Sequence, residues 1–102
     1  MNINGKTKIA GLIGNPIEHT KSPLMHNSAY DQLGIDYAYI PLQVDPSNLE
    51  KALDGIRVFG YAGVNVTIPY KEDVIKYLDE IDDSAKIIGA VNTIKNDNGK
   101  LI

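Results

Sequence analysis

Hydrophobic and polar positions along the chain alternate between strand-like and helix-like runs. The near-continuous apolar run over residues 8–14 predicts a strand that is buried on both faces. Residues 22–34 predict a helix, because Ser22 can act as its N-cap and Gly34 can terminate it, and Pro23 suits its first turn. The inward-facing residues of this helix are predicted to be Met25, Ala29 and Leu33.

The next two elements repeat this order. Residues 37–44 predict a second strand, and Pro41 within it indicates a position at the edge of a sheet. Residues 47–56 predict a second helix that opens with a capping box formed by Ser47 and Glu50. Its apolar face is predicted to contain Leu49, Leu53 and Ile56.

The last third of the chain predicts one more strand and helix, followed by shorter elements. A strand containing Val64, Val66 and Ile68 ends at Pro69. A helix is expected over about residues 71–80, with Val74, Leu78 and Ile81 facing inward. The stretch DSAKII predicts a short helix that ends at Gly89, and the pair Asn98 and Gly99 predicts the turn of a C-terminal hairpin.

Three strand–helix units in sequence predict one domain over residues 1–102. We expect an α/β fold, an open three-layer α/β/α sandwich around a mainly parallel twisted sheet, with right-handed crossovers and a C-terminal hairpin. Ligands of such sheets bind at the carboxyl ends of the strands. This rule selects three segments as the candidate site, namely residues 14–22, 67–71 and 89–93.

Composition and charge narrow the classes of function. The net charge of −3 gives no electrostatic reason to expect nucleic acid or an anionic membrane as a partner. The absence of cysteine excludes disulfides, thiolate metal sites and cysteine nucleophiles. No apolar run is long enough for a membrane helix, and the N-terminal one is too short for a signal peptide. We therefore expect a cytoplasmic protein.

Two hydroxyl side chains in the first segment are candidates for binding an anion. Thr20 precedes the predicted helix, and Ser22 opens it. Hydroxyl groups and backbone N–H groups at a helix N-terminus are donors that favour the binding of a carboxylate or a phosphate. The simpler alternative is that Ser22 only caps the helix.

Lys71 is the candidate for acid–base chemistry. It follows the third strand and would meet the positive end of the predicted helix dipole, which together with partial burial disfavours its ammonium form. A lysine in this situation can act as a general acid or base. Glu72 and Asp73 favour the ammonium form, so the net effect stays open, and a solvated surface lysine is the alternative.

Three neutral side chains could bind the hydroxyl groups of a ligand. Asn65 and Thr67 share one face of the third strand, opposite to its valines, and Asn92 lies in the third segment. A polar face on a buried strand requires either a ligand or an internal hydrogen-bond network, and both remain open. His19 and His26 do not have the spacing of a metal site, and the first loop lacks the G-x-G-x-x-G pattern of a dinucleotide site.

Three stretches carry a family resemblance, in their order and spacing: GLIGNPIEHTKSPLMHN, GVNVTIPYKED and IGAVNTI. Together they resemble the N-terminal, substrate-binding domain of shikimate dehydrogenase, and the resemblance covers essentially the whole chain. It implies an NADP-dependent oxidoreductase that interconverts 3-dehydroshikimate and shikimate in the chorismate pathway of aromatic amino-acid biosynthesis. It also implies a second, Rossmann-type domain that carries NADP and lies outside this sequence.

The resemblance assigns roles to the candidate residues. Lys71 matches the lysine that transfers a proton at the reacting oxygen, together with an aspartate of the family. Thr20 and Ser22 match the two hydroxyl positions that bind the substrate carboxylate. The positions that bind the ring hydroxyls are matched by Asn65, Thr67 and Asn92.

Two departures from the family pattern leave alternatives open. The family usually has serine where this sequence has Thr20, which leaves shikimate and quinate as candidate ligands. The partner aspartate and the cofactor loop are absent from the sequence, so we expect no turnover by these residues alone. A stand-alone, non-catalytic module that binds a small hydroxylated carboxylic acid is the alternative. A homodimer is also considered, because apolar surface that a second domain covers would favour self-association.

Overall fold

The computed structural model describes residues 2–102 as an open sheet with helices on both faces. Five strands, β1 to β5, form one sheet in the order β2-β1-β3-β4-β5. Three helices, α1 to α3, connect or flank them. In chain order the elements are β1 Lys8–Gly14, α1 Ser22–Leu33, β2 Tyr37–Gln43, α2 Leu49–Phe59, β3 Gly63–Val66, α3 Asp83–Ile88, β4 Thr93–Asp97 and β5 Lys100–Leu101.

The predicted open α/β architecture is confirmed, and the sheet is mixed. Strands β2, β1 and β3 run parallel, while β4 pairs antiparallel with β3 and β5 pairs antiparallel with β4. The C-terminal hairpin is confirmed, since Asn98 and Gly99 both have positive φ as its tight turn requires. Strand β2 lies at the edge of the sheet, as Pro41 predicts.

Two apolar clusters cover the two faces of the sheet. The side chain of Ile13 on β1 packs in a cluster with Leu53 of α2, whereas the neighbouring Leu12 packs with Tyr39 and Tyr30 on the face of α1. This alternation follows from the two-residue period of a strand. The predicted inward face of α2 is confirmed, because Leu49, Leu53 and Ile56 are all buried.

The predicted inward face of α1 is wrong. Met25 and Leu33 are 67% and 71% exposed, and the side chains turned toward the sheet include His26, Asn27 and Tyr30. The physical reason is that β2 is an edge strand. Asn27 Nδ2 donates to the Tyr39 carbonyl at 3.0 Å, and its Oδ1 accepts from the Tyr39 N–H at 2.8 Å, so the helix amide satisfies backbone groups that no further strand pairs.

Both predicted capping arrangements are also wrong. The N-cap of α1 is Lys21, so Ser22 is the first helical residue and does not cap the helix. Residues Pro46–Asn48 form a 3₁₀ turn, and α2 starts at Leu49 without a side-chain capping bond, which removes the capping box of Ser47 and Glu50.

The helix expected over residues 71–80 does not form. The chain makes a series of turns and one 3₁₀ turn at Ile75–Tyr77 before it becomes extended at Leu78. Tertiary contacts override helix propensity here: the Tyr70 hydroxyl donates to the Val44 carbonyl, Val74 is fully buried, and Asp79 N–H donates to the Leu101 carbonyl at 2.9 Å. Among residues 2–102, no helix is long and apolar enough to span a membrane.

Candidate functional site

Backbone hydrogen bonds join the loops that follow the three parallel strands. Asn15 N–H, after β1, donates to the Ile68 carbonyl after β3 at 3.2 Å. Val44 N–H, after β2, donates to the Gly14 carbonyl at 3.2 Å. The carboxyl ends of β1, β2 and β3 therefore meet at one edge of the sheet, as the fold predicts.

Gly14 allows the first and second segments to pack closely. A Cβ atom at this position would collide with Thr67 Cγ2 and lie 2.9 Å from Ile17 Cγ2. Thr67 N–H donates to the Ile13 carbonyl at 2.9 Å, which continues the strand pairing into the loop. Thr67 is thus fixed against the first loop by its methyl group and its backbone.

The two hydroxyl candidates lie together at the start of α1. Thr20 N–H donates to the carbonyl of buried Ile17 at 3.1 Å, and Thr20 Oγ1 accepts from the Ser22 N–H at 3.2 Å. Both residues are partly buried. Since Ser22 is not the N-cap, its hydroxyl is not used as the helix cap.

Lys71 lies on the exposed turn after β3 and borders a cavity of about 440 Å³. Asn92 and Thr93 border the same cavity, and the Val91 N–H donates to the Lys71 carbonyl at 2.8 Å, which ties the second segment to the third. Because no α-helix begins at Lys71, the helix-dipole part of the sequence argument does not apply to it.

The polar face of β3 is part of an internal hydrogen-bond network. Tyr39 Oη donates to Asn65 Oδ1 at 2.8 Å, and Asn65 Nδ2 donates to Thr93 Oγ1 at 3.1 Å. Thr93 Oγ1 in turn donates to Asn92 Oδ1 at 3.1 Å. Sequence reasoning missed Tyr39 and Thr93. The sequence indicates only that Thr93 directly follows Asn92, because the contact of Tyr39 with Asn65 depends on strand order and register.

The described contacts bring the candidates together in groups. Among residues 2–102, hydrogen bonds join Asn65 with Asn92 through Thr93, and Thr20 with Ser22, but none joins these groups to each other or to the Lys71 ammonium. The candidates therefore form two hydrogen-bonded groups, and Asn92 of the second group borders the same cavity as Lys71.

The two histidines have different surroundings. The side chain of His19 is 94% exposed and lies 3.7 Å from Glu18. The ring of His26 stacks on Tyr39, with centroids 4.1 Å apart and planes at 8°. In the part of the chain that the structure describes, no three His, Cys, Asp or Glu side chains are grouped to hold a metal ion.

The loop after β1 does not fit the pyrophosphate of a dinucleotide. The space that Gly14 leaves is filled by Thr67 and Ile17, whereas a dinucleotide loop uses its glycines to admit phosphate. Helix α1 starts only at Ser22, eight positions after Gly14, so its N-terminus does not directly follow the strand.

Comparison with known sequences identifies the family of the chain. The sequence pattern described as "Shikimate dehydrogenase substrate binding domain" matches residues 12–94. The shikimate dehydrogenase (NADP(+)) of Desulforamulus reducens is 54% identical over 100 residues, which are 98% of this chain and 34% of that relative. The chain therefore spans about one third of the length of this relative.

Solved structures agree with the sequence comparison. A crystal structure of a shikimate dehydrogenase in complex with NADP⁺ matches with a TM-score of 0.96 and 53% identity, over 99% of this chain and 35% of that chain. A shikimate 5-dehydrogenase from Listeria monocytogenes, in complex with shikimate and NAD, matches with a TM-score of 0.94 and 42% identity, over 99% of this chain and 35% of that chain.

Proposed function

The chain belongs to the shikimate dehydrogenase substrate-binding domain family, and on this premise we propose that its sheet edge binds shikimate and 3-dehydroshikimate. The observation that carries the proposal is the meeting of three polar segments at the carboxyl ends of β1 and β3, joined by backbone hydrogen bonds. A relative from Listeria monocytogenes has been crystallised with shikimate, which supports this ligand class.

In the proposed site, each group of side chains binds a different part of the ligand. The hydroxyls of Thr20 and Ser22 donate to the ligand carboxylate. The ring hydroxyls are bound by Asn65, Thr67 and Asn92. Lys71 transfers a proton at the oxygen that changes between hydroxyl and ketone, because its turn borders the same cavity as Asn92.

The intact enzyme is proposed to be an NADP-dependent, cytoplasmic shikimate dehydrogenase of aromatic amino-acid biosynthesis. NADP supplies hydride chemistry and is bound mainly by a second, Rossmann-type domain, since the loop after β1 does not fit its pyrophosphate. The domain formed by residues 1–102 binds and orients the substrate, and we expect it to show no turnover by itself.

A calorimetric titration of shikimate tests the proposed binding site. We expect Ser22→Ala and Lys71→Ala each to weaken binding by roughly threefold to thirtyfold, because each removes a hydrogen bond to a polar or charged ligand group. Lys6→Ala is the matched control, since Lys6 is an exposed lysine that precedes β1 and therefore lies at the opposite end of the parallel strands from the three segments. Equal affinity for all four proteins would contradict the proposed roles.

The same titration with quinate tests the alternative ligand. Thr20 has one methyl group more than the serine usual in the family, so quinate remains a second candidate. We expect shikimate to bind more tightly than quinate. Tighter binding of quinate would reassign the ligand while leaving the site in place.

A further inference from the structure

A continuous row of hydrogen bonds crosses the sheet from β2 to the third segment. It runs from Tyr39 Oη through the Asn65 amide and Thr93 Oγ1 to Asn92 Oδ1, with donor–acceptor distances of 2.8, 3.1 and 3.1 Å. We call these four residues the amide relay. We propose that Tyr39 and Thr93 are positioning residues that fix the orientation of both asparagine amides, an inference that rests on the proposed function because it takes Asn65 and Asn92 as ligand-binding groups.

The direction of the relay determines what the two amides offer to a ligand. Each asparagine carbonyl accepts a hydroxyl hydrogen, Asn65 from Tyr39 and Asn92 from Thr93. One N–H of Asn65 is used on Thr93. One N–H of Asn65 and both N–H groups of Asn92 therefore remain as donors.

This pattern defines the chemistry of the ligand atom that the amides face. Three N–H donors suit an oxygen that accepts hydrogen bonds, whether it belongs to a hydroxyl or to a ketone. They do not suit an ammonium group, which has donors only. The relay thus allows the same two amides to donate to a ring oxygen of the ligand whether that oxygen is a hydroxyl or a ketone.

The start of the relay is held rigidly. Tyr39 is 3% exposed, its ring stacks on His26, and its backbone N–H and carbonyl are both bound by the amide of Asn27. Burial, with a smaller contribution from Tyr30, raises the pKa of the Tyr39 hydroxyl, so this hydroxyl stays protonated and remains a donor.

The position of Thr93 supports its role as the link. It is the first residue of β4, it pairs with Asn65 across the sheet, and it borders both the 440 Å³ cavity that contains Lys71 and a smaller cavity of about 250 Å³ that contains Tyr39. Its Oγ1 is the one atom of the relay that both accepts and donates within it.

The test compares four variants without ligand and in a shikimate titration. Thr93→Val and Tyr39→Phe each remove one relay hydroxyl, while Thr93→Ser keeps it. Valine retains the shape of threonine and suits a strand, so Thr93→Val is expected to fold. Tyr37→Phe is the control for Tyr39→Phe, because Tyr37 lies on the same strand and packs its ring on Tyr30.

We expect Thr93→Val to shift the side-chain N–H resonances of both Asn65 and Asn92, and Tyr39→Phe to shift those of Asn65. Each of these two variants should weaken shikimate binding by roughly threefold to tenfold. Thr93→Ser and Tyr37→Phe should resemble the wild type in both measurements.

Two results would overturn the proposed positioning role. One is that the asparagine side-chain resonances are unchanged in Thr93→Val, and the other is that they shift while the affinity for shikimate stays unchanged. Failure of the wild-type chain to bind shikimate is a different result. It would contradict the proposed function and with it the ligand-positioning role, while the ligand-free resonances would still report whether Thr93 orients the two amides.

Discussion

At the residue scale, Gly14 allows the loop after β1 and the segment of residues 67–71 to pack closely, because it has no Cβ atom. The atoms that a Cβ would meet belong to Thr67, Ile17 and the carbonyl of Ile68, which are the second segment and the loop that leads to Thr20. The glycine is therefore required for close packing between protein segments. From the sequence, Gly14 could be placed at the end of β1, but its contacts with Thr67 and Ile68 could not be predicted, because these residues are more than fifty positions away.

Replacing this glycine tests the packing directly. We expect Gly14→Ala to lower the free energy of unfolding by about 1–3 kcal/mol, because the new methyl group displaces Thr67 or Ile17. Gly55→Ala is the control, since a Cβ at Gly55 meets no atom within 4 Å and alanine favours the helix by about 0.5–1 kcal/mol. Urea unfolding measures both, and a Gly14→Ala protein as stable as the wild type would contradict this account.

Lys71 lies after β3 as predicted, but the chain that follows it does not form the expected helix. Its position after β3, at the carboxyl ends of the parallel strands, followed from the strand pattern and the topology. Its expected position at a helix N-terminus is wrong, because the Tyr70 hydroxyl donates to the distant Val44 carbonyl and the Asp79 N–H donates to the distant Leu101 carbonyl, and these contacts hold the segment in turns. Local propensity cannot detect such contacts.

At the scale of elements, the segment after Tyr77 is anchored to the C-terminal hairpin by one carboxylate. Asp79 Oδ2 accepts from the Leu101 N–H of β5 at 2.8 Å and from Arg57 Nη2 of α2 at 3.2 Å. The bond from Leu101, followed by that from Arg57, lowers the pKa of Asp79 below its ordinary value of 3.8. This side chain thereby connects α2, the turn segment and β5.

The lowered pKa predicts a stability that depends on pH. Because the folded protein favours the carboxylate, the contribution of Asp79 is fully present above the unfolded value of 3.8 and is lost as the pH falls through the lower folded value. We expect Asp79→Asn to be less stable than the wild type at pH 7, and the difference to shrink as the pH falls below roughly 4.

Urea unfolding at a series of pH values measures this difference. Asp45→Asn is the control, since Asp45 precedes a 3₁₀ turn and its side chain makes no capping bond there. A difference between Asp79→Asn and wild type that is constant down to pH 3 would show that the charge of Asp79 contributes nothing.

The elements also show which sequence patterns were informative. The helical spacing of apolar residues in α2 predicted its buried face, and the pair Asn98 and Gly99 predicted the hairpin turn. Both predictions were correct because each depends on residues that are close in sequence. The face of α1 was misjudged because apolar periodicity pointed to Met25 and Leu33, whereas the edge of β2 required the amide of Asn27. The unpaired backbone groups at this edge of the sheet, and not the apolar spacing, determined which face of α1 packs inward.

At the scale of the whole molecule, three segments distant in sequence meet at one edge of the sheet, where we propose that they form one binding surface. Alternating strands and helices were sufficient to predict that the segments share this edge, and backbone hydrogen bonds now join them. The internal relay through Tyr39 and Thr93 was not predictable, because it depends on which strands are neighbours and on their register.

The most direct test of this claim is a map of backbone amide chemical shifts during a titration with shikimate. The account predicts changes concentrated at residues 20–22, 65–71 and 92–93, which are reduced in Lys71→Ala. Changes confined instead to the apolar groove between β2 and α2, around Pro41 and Phe59, would contradict it. So would the absence of any change at ligand concentrations that saturate the intact relatives.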